Sequence, residues 1–420
     1  MPKKEYGWDG GNIPIIGEHS IAKHRILREY VQKYIEILTR NPRIERLKLT
    51  LVDGFAGGGI YQRSGDSVPH FGSPAILIEA TAAAQTQVNL VRHKPVTIQP
   101  AYFFIDKNPA NLAVLQETLQ KHIYPAHPGV TPTILTGTFE DKLAPIVASI
   151  KQIGRVHRAI FLLDQYGYTA VPLSSLQLIF RELPKAEVFL TLAVGWIAAY
   201  LRTTASAREV IRDSLDIRTA ATEEEIEERL LGEGSAAKLR TVQQLLHKIF
   251  VQESGARYAT PFFIVSRESH RPYWFLHLAN SPKANDVVKE LHWEIQNHFS
   301  HYGDTGLAML GFDPSREPDP GQLSFAFDSF AKQRTEEALL KQLPDRIGTG
   351  HAARVQCRDL FASVANETPA TKEMVRTALT TLCREGDLAK HGGSGEQRRV
   401  DTPVRDDDVI MLPKQTRIHW

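Results

Sequence analysis

Short apolar runs alternate with helical segments along the first half of this chain, and this alternation constrains the fold more than any other feature. The apolar runs are nearly uninterrupted, as expected for strands that are buried on both faces. Strands of this kind that alternate with helices are typical of a doubly wound parallel sheet with helices on both faces. The predicted strands are residues 47–52, 102–105, 133–135, 159–163 and 188–192, and the predicted helices are residues 74–86, 109–121, 142–151 and 173–183.

Two further apolar runs, 262–266 and 273–279, flank a turn at residues 270–272, which predicts a β-hairpin. Added to the five alternating strands, this hairpin predicts a seven-stranded sheet of the α/β class. One helix beginning at Ser20 precedes the first strand, and another follows the hairpin over 285–299. Residues 201–253 have a helical pattern and many charges, so we interpret them as a solvated helical insertion.

The sequence pattern changes near residue 313. Residues 313–321 hold three prolines and four charged residues, which predicts a linker. Three helical segments (335–343, 354–367 and 371–385) are then followed by a polar turn and a short strand at 409–412, the order of a winged helix-turn-helix. We therefore predict a first domain over 1–312, a linker over 313–330 and a winged-helix domain over 331–420.

The composition excludes several classes of protein. Fifty Lys and Arg residues nearly balance 48 Asp and Glu residues, which argues against a histone-like wrapper of nucleic acid. The two cysteines, Cys357 and Cys383, are too few for a disulfide scaffold or a Cys-rich metal cluster, and the histidines fit no usual zinc spacing. No apolar stretch approaches the ~20 residues of a membrane span, and the first residues lack a signal-peptide core. We expect a cytoplasmic protein without a metal site or a membrane segment.

A glycine-rich turn follows the first predicted strand. Because glycine has no Cβ atom, the backbone N–H groups of such a turn can approach a ligand closely. The spacing is D-x-F-A-G-x-G, which differs from the G-x-G-x-x-G of dinucleotide-binding turns and looks like motif I of S-adenosylmethionine-dependent methyltransferases. A tight turn without a ligand is the alternative. The candidate cofactor-binding residues of this turn are Asp53, Gly54, Phe55, Ala56, Gly57 and Gly59.

Acidic residues follow the next two predicted strands. Asp106 ends the second strand, where a carboxylate can accept hydrogen bonds from both hydroxyls of a ribose, although it lies much further from Asp53 than the ~20 residues usual in dinucleotide-binding sheets. Asp141 follows the third strand and could offer a carboxylate to the adenine amine. We predict both as cofactor ligands. The alternative is an exposed acid at the end of a strand or at the start of a helix.

The fourth strand ends in the run Asp164-Gln165-Tyr166-Gly167-Tyr168, which resembles the D-P-P-Y motif of amino-directed base methyltransferases. In such a motif a carboxylate and a backbone carbonyl accept the two protons of an exocyclic amine and turn its lone pair toward the methyl group. An aromatic ring stacks on the base. We predict Asp164, Gln165, Tyr166 and Tyr168 as catalytic residues. Ligand binding without methyl transfer and a purely structural turn are the open alternatives.

Basic residues in two regions are suited to contacts with nucleic acid. Positive side chains on a recognition helix and its wing can contact phosphates. A solvated basic face is the alternative for the set in the first helix, and docking of a protein is the alternative for the C-terminal set. The first set is Lys23, His24 and Arg28, and the C-terminal set is Lys372, Arg376, Arg398 and Arg399.

Six stretches spanning about residues 20–300 resemble, in the same order, the three-Cys-motif partner (TcmP) proteins, a family described as partners of a separate protein with a three-cysteine motif. This family has D-P-F-G-Y where the present chain has D-Q-Y-G-Y. The start of the first helix and the glycine turn are also similar to those of ribosomal RNA adenine-N6 methyltransferases. The resemblance implies a class I, Rossmann-like methyltransferase fold and a protein partner. The stretches are KHRILREYVQKYIEIL (23–38), LVDGFAGGGIY (51–61), GSPAILIEA (72–80), FFIDKNP (103–109), FLLDQYGYTAVPL (161–173) and YWFLHLANSPKANDVVKELHW (273–293).

The sequence thus predicts a methyltransferase-like protein that acts on a nucleic-acid base. S-adenosylmethionine is the expected cofactor, and the expected partners are RNA or DNA and a protein with a three-cysteine motif. The alternative is a non-methylating nucleotide-binding or scaffold subunit of a multi-protein complex, with a role in phage defence.

Overall fold

A computed structural model describes residues 7–8, 12–153, 156–165, 170–195, 197, 209, 212–217, 235–265, 272–295, 329–348 and 354–413. The chain divides into two compact units, residues 1–291 and 292–420. The predicted linker at 313–330 lies almost entirely outside the described residues, and so does most of the predicted insertion before residue 235.

The first unit is built on a seven-stranded sheet, as the sequence predicts. Its strand order is β5-β4-β1-β6-β7-β9-β8. The first five strands in this order are parallel, and β9 is antiparallel to both β7 and β8. This is the Rossmann-like methyltransferase fold. The strands of the unit are β1 (Arg46–Asp53), β2 (Ile60–Gln62), β3 (Pro69–Phe71), β4 (Thr97–Asp106), β5 (Thr133–Thr136), β6 (Ala159–Leu163), β7 (Ala186–Leu192), β8 (Tyr258–Val265) and β9 (Pro272–Ala279).

Helices accompany the strands along the chain. Every residue of β6 and of β7 is buried, which accounts for their largely apolar sequences. The third helix continues into a π-helical turn at Leu119–Ile123. The helices are α1 (Glu18–Thr39), α2 (Ser73–Val91), α3 (Pro109–Thr118), α4 (Phe139–Ile153), α5 (Leu173–Glu182), α6 (Ser235–Glu253) and α7 (Pro282–Ile295). Among the described residues, no helix combines the length and the apolar character that crossing a bilayer requires.

Two groups of hydrogen bonds hold α1, one joining its middle to the sheet and one joining its end to the residue that follows α2. At its middle, the Tyr30 hydroxyl donates to Glu187 of β7, and the His277 ring of β9 lies 3.2 Å from the same carboxylate oxygen. At its end, the Arg92 guanidinium donates to the carbonyl of Thr39 and, at 2.8 Å, to that of Ile44. These hydrogen bonds fix the position of α1, and they therefore also fix the position of the residues near its start.

A short hairpin, β2–β3, interrupts the connection between β1 and α2 and was not predicted. Its strands are three residues long, which is too short for an alternating pattern to be recognised. Gln62 exchanges backbone hydrogen bonds with Pro14 and Ile16, so the chain before α1 adds a third segment to this hairpin. The hairpin therefore lies directly after the glycine-rich turn and carries side chains toward it.

The second unit is a winged helix-turn-helix. Its helices are α8 (Ser329–Gly348), α9 (Cys357–Val364) and α10 (Lys372–Glu385), and its three-stranded sheet has the order β10 (Arg354–Gln356), β12 (Val409–Met411), β11 (Ala389–His391). The Thr371 hydroxyl caps α10 by accepting from the Met374 N–H at 3.2 Å. Residues 354–356, predicted as the start of a helix, instead pair with β12.

Candidate functional site

Three carboxylates lie at one edge of the sheet. Strands β4, β1 and β6 are neighbours, and they end at Asp106, at Asp53 and one residue before Asp164. The strand order reverses between β1 and β6, and in open α/β sheets ligands bind beyond the carboxyl ends of the strands at such a switch point. The residues that the sequence singles out on three separate strands are therefore brought to one place.

The glycine-rich turn at the end of β1 has the backbone that its sequence predicts. Gly57 and Gly59 have φ angles of 57° and 68°, which L-residues rarely adopt. The Gly57 N–H donates to the Asp106 carboxylate at 3.0 Å, so the turn is tied to the neighbouring strand. The Ala56 N–H donates to the Ile105 carbonyl at 2.8 Å and strengthens the same link.

Trp8 covers part of this turn, and no sequence signal pointed to it. A Cβ atom at Gly57 or Gly58 would lie 2.5 Å or 2.6 Å from the indole ring. The Trp8 Nε1–H donates to the Ile60 carbonyl at 2.7 Å, which holds the ring in place. Gly57 and Gly58 are thus required because a side chain at either position would clash with the Trp8 indole, independently of any ligand.

Asp106 is held by three donors of its own chain. Its Oδ1 accepts from the Asn108 N–H at 2.8 Å and from the Asn111 side chain at 3.1 Å, while its Oδ2 accepts from Gly57. A carboxylate offers about four acceptor positions, so roughly one position is left for a ribose hydroxyl. The prediction is that Asp106 accepts from both hydroxyls of a ribose. With one position free, the second hydroxyl would have to share an acceptor position with one of these three donors.

Asp53 is fully buried beneath the turn. Burial raises the pKa of its carboxyl to about 7, although the nearby Ser73 hydroxyl and the Phe55 N–H, which donates to Oδ1 at 3.0 Å, act in the opposite direction. The nearby Asp164 and Asp106 carboxylates raise the pKa further. The Asp53 carboxyl thus changes its charge near neutral pH.

Replacing Asp53 by Asn is expected to change the pH dependence of stability. The pKa is higher in the folded state than in the unfolded state, so the contribution of Asp53 to wild-type stability falls as the pH rises from about 4 to about 7. The asparagine side chain of D53N does not titrate. Relative to the wild type, D53N should therefore gain about 2–3 kcal/mol between pH 5 and pH 7. Hydrogen exchange of the β1 amides measures this difference, and parallel pH profiles for the two proteins would contradict it.

Lys23 forms a close ion pair with Asp164. The Lys23 Nζ lies 2.5 Å and 2.6 Å from the two carboxylate oxygens, and the Lys23 side chain is only 8% exposed. Burial alone would raise the pKa of Asp164, but the charge and the hydrogen bonds of Lys23 outweigh it and hold the pKa below its ordinary value. Lys23, predicted as a phosphate contact, therefore faces the site and keeps Asp164 ionised.

Gln165 is buried beside this pair. Its side-chain oxygen accepts from the Ala170 N–H at 3.0 Å, while its Nε2 has no hydrogen-bond partner among the described residues. A buried polar atom without a partner is uncommon, and it marks a place where a ligand group could bind. The other two predicted catalytic residues, Tyr166 and Tyr168, lie outside the described residues.

Two histidines adjoin the ion pair. His24 Nδ1 lies 3.2 Å from His70 Nε2, and the two rings stack with centroids 5.4 Å apart. Burial, assisted by the Lys23 charge, lowers the pKa of His24 to about 3, so this imidazole is neutral at physiological pH. His70 comes from the β2–β3 hairpin, which explains why the sequence pattern did not place it here.

The remaining predicted residues of the first unit lie nearer the surface. Arg28 pairs with Glu79 of α2 at 2.8 Å, so its charge is partly used within the fold. Asp141 is exposed in the first turn of α4. Within the described part of the chain, no group of three or more His, Cys, Asp or Glu side chains is arranged to hold a metal ion.

Three of the four basic residues predicted to contact nucleic acid in the second unit form internal ion pairs. Lys372 and Arg376 both pair with Asp406, and Arg398 pairs at 3.0 Å with Asp408, which is fully buried. Arg398 therefore contributes to the fold of the unit. Arg399 is exposed.

One family model matches part of the second unit. Residues 311–392 match the model of the GMT-like wHTH domain family. No protein of curated function matches the chain. The chain therefore combines a methyltransferase-like fold with a winged helix-turn-helix domain.

Several solved structures have a weak overall similarity to this chain. A DUF574 family protein from Streptomyces avermitilis has 10% identity and a TM-score of 0.28 over 61% of this chain and 83% of that one. Human methyltransferase-like protein 13, in complex with SAH, has 12% identity and a TM-score of 0.25 over 63% and 83%. Loganic acid methyltransferase, also with SAH, has 10% identity and a TM-score of 0.22 over 63% and 98%. All three TM-scores are low. The strand order and the register of the sheet identify the fold.

Proposed function

We propose that this protein is an S-adenosylmethionine-dependent methyltransferase that acts on nucleic acid. The observation that carries the proposal is the convergence of the glycine turn, Asp106 and Asp164 at the switch point of the sheet. A nucleoside cofactor needs a close backbone approach and a carboxylate near its ribose, and an acceptor needs a group that orients it. All three features are supplied by adjacent strand ends.

The cofactor residues would be those of the turn, with Asp106 on the ribose. The positive φ angles of Gly57 and Gly59 give the tight turn that brings backbone close to a nucleoside, with Trp8 lying over Gly57 and Gly58 and Asp106 accepting from the Gly57 N–H. Asp106 retains about one acceptor position for a hydroxyl. When bound, S-adenosylmethionine supplies a methyl group on a positively charged sulfur. Asp141, at the start of α4, is the proposed contact of the adenine amine.

The acceptor would be aligned at Asp164. Its carboxylate stays ionised beside Lys23 and can accept one N–H of an exocyclic amine through one of its remaining acceptor positions. The Gln165 backbone carbonyl is the proposed second acceptor, and its buried Nε2 is available to a ring atom of the base. Neutral His24 lies next to this place and adds no charge that would repel the cofactor.

The winged-helix unit would contact nucleic acid outside the catalytic site. Phosphate contacts there raise the local concentration of a substrate whose reactive base itself offers little binding energy. The resemblance to TcmP proteins further supports a protein partner that carries a three-cysteine motif.

A second candidate function is a nucleotide-binding subunit that does not transfer methyl groups. One observation favours it: Lys23 contacts both oxygens of Asp164, the carboxylate that an acceptor amine would need. In this reading the ion pair is structural and the same cofactor site serves to bind a nucleotide within a larger complex, such as one active in phage defence.

Transfer of tritium from methyl-labelled S-adenosylmethionine to RNA or DNA distinguishes the two functions. The full chain should label one of the two polymers, and an excess of the demethylated cofactor should suppress the label. Protein that binds the cofactor but labels neither polymer, with or without a partner protein, would favour the second function.

A further inference from the structure

Two basic side chains of the recognition helix converge on a single carboxylate. Lys372 Nζ lies 2.5 Å from Asp406 Oδ2, and Arg376 Nη2 lies 2.9 Å from Asp406 Oδ1. Lys372 and Arg376 are one helical turn apart on α10, so both side chains reach the same side of the helix. Both cations also stand over the Phe361 ring, at 5.1 Å and 5.8 Å from its centre, which limits their freedom.

The pair is arranged as a site for an anion that presents two oxygens. A phosphodiester offers two such oxygens, and Arg and Lys are the side chains that bind them in nucleic-acid complexes. In this structure the two oxygens are those of Asp406, so the carboxylate stands where a phosphate would be expected.

Asp406 differs from its neighbour Asp408 in how firmly it is held. Asp408 is fully buried, accepts from Arg398 and from the Arg405 N–H, and belongs to the fold. The Asp406 side chain is about half exposed, and its partners are 35% and 26% exposed. Exposed ion pairs are weak, so a competing anion can displace Asp406 without disturbing the fold.

The net charge of the second unit favours only weak general affinity for nucleic acid. Residues 354–413 hold nine Lys and Arg against ten Asp and Glu residues, a formal charge of −1. Glu373 also pairs with Arg376, at 2.6 Å. A winged helix with no net positive charge gains little from long-range attraction to phosphates, and its binding must depend on particular side chains.

We propose that Lys372 and Arg376 form a phosphate-binding site that Asp406 occupies in the free protein, so that nucleic acid binds by displacing this carboxylate. The inference rests on the proposed nucleic-acid contact of the second unit and adds its regulation. Internal competition lowers affinity for isolated phosphates and favours ligands that replace Asp406 while making other contacts. The site then discriminates against weak, non-specific binding.

Replacing Asp406 by Asn tests this competition. The substitution keeps the shape of the side chain and removes its charge, so the full-length D406N chain should bind a 20-base-pair DNA duplex or RNA about three- to thirtyfold more tightly at low salt. The salt slope should become steeper by about one to two, because two cations then release counterions from phosphate. Fluorescence anisotropy measures both quantities.

Two further variants make the result specific. Asp401→Asn removes the same charge from an exposed position in the same connecting segment, and it should tighten binding by less than about twofold. Adding Lys372→Gln and Arg376→Gln to D406N should remove the gain. Equal gains in D406N and D401N, or a gain that survives loss of both cations, would overturn the inference.

Failure of the inference differs from failure of the proposed nucleic-acid contact. If the wild type binds nucleic acid and D406N binds no more tightly, Asp406 is not a competitor, whereas the nucleic-acid contact stands. If neither protein binds either polymer at low salt, both proposals fall, and docking of a protein on this face takes their place.

Discussion

The Asp164→Asn variant is expected to lose at least about a hundredfold in methyl transfer to nucleic acid. In the proposed function the carboxylate accepts a hydrogen bond from the acceptor amine and stays ionised because Lys23 is beside it, whereas Asn offers one oxygen and carries no charge. Affinity for S-adenosylmethionine should change by less than about threefold, because Asp164 orients the acceptor and not the donor. Turnover with tritiated cofactor and calorimetric binding separate the two effects.

Glu79→Gln is the matched control for this variant. Glu79 is also a carboxylate paired with a basic residue of α1, in its case Arg28, but it does not lie at the end of a central strand. E79Q should retain most of the activity. If D164N retained full turnover, or if E79Q lost as much as D164N, Asp164 would not be the residue that orients the acceptor.

Replacing Asp106 by Ala is expected to weaken the binding of S-adenosylmethionine about ten- to hundredfold. The variant removes the carboxylate that would accept from the ribose, a charge-assisted hydrogen bond worth ~1.5–3 kcal/mol. Equilibrium dialysis with labelled cofactor measures the change. The demethylated product should lose affinity to the same degree, because it shares the ribose.

Asp106 also supports the glycine turn, so this prediction needs its own control. Asn111→Ala removes one of the donors that hold Asp106 and leaves the carboxylate in place. It should weaken cofactor binding by less than about threefold. A loss in N111A as large as that in D106A would assign the effect to the scaffold, and unchanged affinity in D106A would remove Asp106 from the site.

The sheet could be predicted from the sequence because its strands are buried on both faces. β6 and β7 are apolar at nearly every position, and this pattern is recognisable without knowledge of the partners. β4 begins five residues earlier than predicted because residues 97–101 pair with β1 although they include Pro100 and polar side chains. The β2–β3 hairpin was missed because three-residue strands carry no period.

The site could be predicted only in part, because its contacts join residues that are distant in sequence. Asp53, Asp106 and Asp164 follow from their positions at strand ends. The role of Lys23 does not, because a buried lysine and an exposed lysine on α1 have the same local sequence pattern. It faces Asp164, 141 residues away, as a result of how α1 packs on the sheet.

The same limit applies to the second unit. A basic recognition helix is recognisable in the sequence, whereas its neutralisation by Asp406 depends on a segment 30 residues further on. Trp8 is a further case, because only the folded chain places its indole on Gly57 and Gly58.

Calorimetric titration of the full chain with S-adenosylmethionine tests the central claim most directly. A site formed by the glycine turn and Asp106 predicts saturable binding to one site per chain, competition by the demethylated product, and a loss of affinity in D106A. Absence of binding at millimolar cofactor, in a protein whose folded state is verified by hydrogen exchange of β1, would contradict the proposed cofactor site and the methyltransferase function with it.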